Sequence, residues 1–156
     1  MTKLPDPLTP ADSDLSDFSF MPLEVGRFRR SDLVTQAEPE AVVAAVLLWG
    51  AAWHSTPSAS LSNDDRSLAQ AAGYGRAVAA FRSIKEVALH GFILCSDGRL
   101  YHPVVAEKAL EAWEAKLKRL WRTECARIRK ANERGRDADD HVDEQAPSFE
   151  DWRETR

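Results

Sequence analysis

Apolar and polar positions change period between residues 77 and 102. Ala77, Phe81, Ile84 and Ala88 recur at the i, i+4, i+7, i+11 spacing of one helix face, with Arg76, Ala79, Arg82, Ser83 and Glu86 turned the other way. Past Gly91 come the apolar run Phe92-Ile93-Leu94-Cys95, the turn Ser96-Asp97-Gly98, and Arg99-Leu100-Tyr101-His102. Asp-Gly between two such runs predicts a β-hairpin.

Upstream, Ser62-Asn63-Asp64-Asp65 offers a capping hydroxyl and first-turn acids for a helix over 64–72, with Leu68, Ala71 and Ala72 inward and Gly73 as the stop. Earlier still, Pro39 suits the first residue of a helix, and Val42, Val43, Val46, Leu47, Gly50 and Trp53 form a wide apolar stripe expected to face the core. After the hairpin, Pro103 opens a long helical pattern. In it Leu110, Trp113, Leu117, Leu120, Trp121 and Ile128 share one stripe, up to a stop at Gly135.

The predicted class is mainly α with a small β-hairpin, an α+β fold. The order of helix, tight turn, helix and two-stranded ribbon is that of a winged helix-turn-helix, here followed by a long C-terminal helix. At 156 residues the chain suits one domain with tails. We expect a disordered acidic leader over 1–17, the domain over 18–134, and a disordered acidic tail over 135–156. Within the domain, residues 18–23 are expected to lie extended on its surface, and the cluster Arg27-Phe28-Arg29-Arg30 to be a solvated turn or a phosphate contact.

Charge sharpens this division. The net charge of −4 hides a body, residues 18–136, with 18 basic and 13 acidic side chains, between two acidic ends. The outer face of the long helix is the most basic part: Lys116, Lys118, Arg119, Arg122, Arg127, Arg129, Lys130, Arg134 and Arg136 stand against Glu124 and Glu133. In the acidic tail, Phe149 and Trp152 are the large apolar groups, and are either a docking motif or incidental.

Candidate chemistry is sparse. Cys95 and Cys125 have no CxxC spacing and no histidine placed to complete a zinc site, so no metal and no cofactor is expected, and a reduced cytoplasmic setting is the simplest reading. Asp64 and Asp65 read as a helix start, since no second group of acids or histidines joins them for acid–base work. His54 reads as a helix-end residue, and Trp49 and Trp53 as core aromatics before stacking platforms. No basic-then-apolar leader opens the chain, and the apolar run over 41–54 falls short of the roughly 20 residues of a membrane span, so neither export nor a membrane is expected. With no nucleophile–base pair or nucleotide loop in the sequence, no catalytic residue is assigned and the protein is not expected to be an enzyme.

The segments 18–23, 41–53 and 63–65, and above all the string Ser96-Asp97-Gly98-Arg99-Leu100-Tyr101-His102-Pro103, resemble an uncharacterised YdaU-like domain family of phage and prophage replication regions. The resemblance covers about residues 18–125. It implies a winged-helix fold and a phage origin, and it implies no catalytic residues. This chain departs from the family in being nearly neutral over 81–86.

These readings lead to a non-enzymatic DNA-binding protein that helps begin or organise phage replication. Arg76, Arg82 and Lys85 are expected to approach the major groove, Arg99 the backbone or minor groove, and Lys116, Arg119, Arg122, Arg129 and Lys130 the phosphates of double-stranded DNA. A protein-binding adaptor or inhibitor of a host or phage replication protein is the alternative. An autorepressor, which would need two recognition helices about 34 to 36 Å apart, is a third reading. The heptad spacing of residues 110–120 allows a monomer or a weak dimer.

Overall fold

The computed structural model describes residues 2–136 and 142–156. Two compact units emerge, one up to Glu111 and one from Ala112 to Arg156. The single domain expected over 18–134 is therefore divided, and the long helix contributes to both units.

In the first unit, two short helices, α1 (Val25–Arg29) and α2 (Asp32–Gln36), precede α3 (Pro39–His54). The expected solvated turn at 27–30 is thus mostly helical. Ser31 caps α2 by accepting from the Val34 amide, and Pro39 takes the first turn of α3, as its fixed φ favours. Strand β1 (Ser60–Ser62), α4 (Asp65–Ala71), α5 (Val78–Ala88), β2 (Ile93–Leu94) and β3 (Arg99–Tyr101) follow, and α6 runs from Pro103 to Gly135. The strands form one antiparallel sheet in the order β1-β3-β2, with Leu61 opposite Leu100 and Leu94 on its other side. The expected hairpin is present. Strand β1 was not foreseen, because Ser60-Leu61-Ser62 is too short to show a period.

The core joins Ala44, Leu48 and Ala52 of α3 to Leu61, Leu68, Ala69, Phe81, Ala88 and Leu100. This corrects the expected face of α3. Trp53 is buried and Val42 half-buried, but Val43 is 61% exposed, and Val46 and Leu47 are also open. Helix α3 is apolar on every side, so periodicity does not choose a face; the alanine side is buried, and small side chains let a neighbouring helix come close. On α5, Phe81 and Ala88 are buried and Ile84 packs against the core, whereas Ala77 is the exposed cap residue. Asp64, with no help from Ser62, caps α4 through the Ser67 amide at 3.0 Å.

The leader is also corrected. Among residues 2–17, Thr9, Ser13 and Leu15 are buried. The Thr9 hydroxyl donates to the Ser58 carbonyl at 2.6 Å, Ser13 Oγ accepts from both the amide and the hydroxyl of Ser58 at 3.0 Å, and the Ser96 amide donates to the Pro5 carbonyl at 2.8 Å. Short polar side chains satisfy a turn 45 to 49 residues away, and this outweighs a composition that favours disorder. Phe18 then meets Trp53 edge-on at 6.3 Å, and its carbonyl lies 2.7 Å from His54 Nε2.

In the second unit, Trp113, Leu117 and Ile128 of α6 are buried and Trp121 is half-buried. Leu110 and Leu120, expected on the same stripe, are exposed. The buried line advances in four-residue steps from Val105 through Ala109 to Leu117, drifting about 40° each step and leaving both leucines on its flanks. The tail expected to be disordered carries a helix, α7 (Phe149–Glu154), capped by Ser148. The part of that tail at 137–141 lies outside the described residues.

Candidate nucleic-acid interface

Of the cations expected at the α5 side, Arg82 and Lys85 are tied to one local carboxylate. Asp65, in the first turn of α4, accepts from Arg82 Nε and from Lys85 Nζ, each at 2.7 Å. Hydrogen bonds from Lys85 and then Arg82 hold its carboxyl below the ordinary range. Arg99 Nε donates to Ser60 Oγ at 2.8 Å across the sheet, and its side chain is half-buried. Arg76 is exposed beside Gly75. The remaining outward positions of α5, Ala79, Ala80, Ser83, Glu86 and Val87, add no positive charge.

On α6 the arrangement differs. At about 100° per residue, Arg119, Arg122, Arg129 and Lys130 fall on the side away from Trp113, Leu117 and Ile128. All four are exposed. Arg122, Arg129 and Lys130 make no ion pair among the described residues. Glu124 and Glu114 are on other sides and already engaged, Glu124 with Arg127 at 2.7 Å and Glu114 with Lys118 and Arg153 at 3.6 and 3.0 Å, while Glu133 lies on the side of the cations, one turn past Arg129 and Lys130. Ala115 and Ala126 leave the space between the cations open. Lys116 lies nearer the apolar side, with Nζ 5.7 Å from the Trp113 ring centroid. The result is a stripe about 16 Å long, from the 1.5 Å rise over residues 119–130, that presents guanidinium and ammonium donors to solvent.

Phe149 and Trp152 are occupied within the second unit. Phe149 meets Trp121 edge-on at 5.7 Å and stacks with Trp152 at 6.3 Å. Trp121 Nε1 donates to the Pro147 carbonyl at 3.0 Å.

A further concavity was not legible in the sequence. An apolar cleft of about 230 Å³ in the first unit is framed by Phe28, Leu33, Trp49, His102, Val104 and Val105. His102 is 7% exposed, with Phe92 and Trp49 edge-on at 5.0 and 5.5 Å. Burial, reinforced by the charges of His90 and Arg27, pushes its pKa down to about 4, so the ring is neutral near pH 7. Its Nδ1 accepts from the Val105 amide, which makes it the cap of α6 as well as a wall of the cleft. Cys95 is buried and Cys125 half-buried, both free thiols, and burial raises the Cys95 pKa. Among the described residues no cluster of three His, Cys, Asp or Glu could hold a metal ion, and no helix is long and apolar enough to cross a membrane.

Comparison with known protein families, with curated proteins and with solved structures finds no match for this chain.

Proposed function

We propose that the protein binds double-stranded DNA through its phosphates, with the outer face of α6 as the contact surface. The observation that carries this reading is the exposed row Arg119, Arg122, Arg129 and Lys130, with no acid on its side of the helix between residues 119 and 130 and Glu133 following one turn beyond. Phosphate contacts supply affinity without base information. The first unit supports a winged-helix reading: helix, strand, two helices and two strands, with the last strand in the middle of the sheet. Because Asp65 engages Arg82 and Lys85, affinity is assigned to α6 and not to base reading by α5. A role in starting or organising phage replication rests on the resemblance of residues 96–103 to the YdaU-like family.

The test is the combined variant Arg119→Glu, Arg122→Glu, Arg129→Glu and Lys130→Glu, read by fluorescence anisotropy on a labelled duplex. Each phosphate contact contributes about 0.9 to the slope of log affinity against log salt, so four lost contacts flatten it by about 3 to 4. Equal binding by wild type and variant at about 50 mM salt would overturn the proposal. A second reading, a protein-binding adaptor, is favoured by the exposed uncharged stripe Val43, Val46 and Leu47 on α3, and takes over in that event.

A further inference from the structure

We infer that the C-terminal segment damps the positive potential of α6, held in place by an aromatic latch. This regulation rests on the nucleic-acid reading of the same face.

The segment returns along α6 in the reverse direction, within the second unit. Asp143 takes a forked contact from Arg136, with Nε 3.1 and 3.3 Å from the two carboxylate oxygens. The Asn132 side chain exchanges two hydrogen bonds with the Glu144 backbone, at 2.8 and 3.0 Å. Pro147 and Phe149 then reach Trp121, Arg153 reaches Glu114, and the Arg156 guanidinium lies 5.7 Å from the Trp113 ring centroid. Successive tail residues thus meet positions 136, 132, 121, 114 and 113 in descending order. That ordering, with paired backbone contacts and ring contacts, marks a specific dock, which charge attraction alone would not define.

The docked segment 142–156 carries Asp143, Glu144, Glu150, Asp151 and Glu154 against Arg153 and Arg156. A helix with its side chains is about 10 to 12 Å across, close to the Debye length of about 10 Å at 0.1 M salt. Acids fixed on one flank of α6 therefore lower the potential on its other flank. Arg136 is taken up directly, and Glu144 lines the same cleft as Arg129. The latch sits on the Trp121 side, so the segment weakens polyanion binding without covering Arg122 or Lys130.

Two full-length variants test this, each checked for unchanged helicity by circular dichroism. The first, Asp143→Asn, Glu144→Gln, Glu150→Gln and Glu154→Gln, removes charge and keeps the latch. The second, Phe149→Ala and Trp152→Ala, keeps the charge and releases the latch. Both should bind heparin and duplex DNA more tightly than wild type at about 50 mM salt, the first by roughly fivefold, with the gain fading as salt rises. Heparin affinity equal to wild type in either variant overturns the inference. Tighter heparin binding by both variants, with no duplex binding by any form, would uphold the damping and overturn the DNA reading.

Discussion

A Cβ on Gly91 would lie 2.7 Å from His102 Nε2, closer than side-chain carbons approach a ring nitrogen. Gly91 also has a φ of +86°, which L side chains rarely adopt. The imidazole has little room to retreat, because Phe92 and Trp49 pack against it in T-shaped contacts at 5.0 and 5.5 Å and the Val105 amide holds Nδ1. Gly91→Ala should destabilise the protein by about 2 kcal/mol or more, combining backbone strain with overpacking. Urea denaturation showing a stability within 0.5 kcal/mol of wild type, about the scatter of neutral surface changes, would mean that the ring does not fill this space.

His102 should make stability depend on acid. Its folded pKa is depressed to about 4 from an ordinary 6.5, so between these values the unfolded chain binds more protons. The contribution is complete above about pH 6.5, is lost as pH falls toward 4, and amounts to about 3 kcal/mol. Carboxylates titrate in part of this window, so the measurement is the difference in pH dependence between wild type and His102→Gln. Parallel stability curves from pH 7 to pH 4 would contradict the assignment.

Phe81 is fully buried and meets Tyr74 edge-on at 5.9 Å. Phe81→Ala should cost roughly 3 to 5 kcal/mol, as large aromatic deletions from cores do. Thermal and chemical denaturation together check this, and an unchanged midpoint would place the ring outside the core.

The clamp on Asp65 predicts a division of labour between the helices. Arg82→Ala with Lys85→Ala should change duplex affinity less than about twofold, since both cations already have a carboxylate partner. Asp65→Asn should tighten binding at low salt for every duplex sequence alike, because it releases two cations without creating base contacts. Anisotropy on several unrelated duplexes checks both, and a sequence preference gained or lost in either variant would put α5 in the groove.

Local signals determined much of this protein. Pro39 and Pro103 place two helix starts, Asp97-Gly98 places the hairpin, the period through Phe81 and Ala88 orients α5, and the lysines and arginines of 116–136 mark the basic face of α6. Each is legible because its physics acts within a few residues: a fixed φ, a tight turn, a 3.6-residue period. Tertiary structure decided which side of the uniformly apolar α3 is buried, and paired Ser60–Ser62 with Arg99–Tyr101. It folded the leader onto Ser58 and brought Asp65 to Arg82 and Lys85. It also turned Phe149 onto Trp121, where composition favoured disorder. These outcomes depend on partners 17 to 49 residues apart, whose hydrogen bonds and buried contacts exist only once the chain has folded.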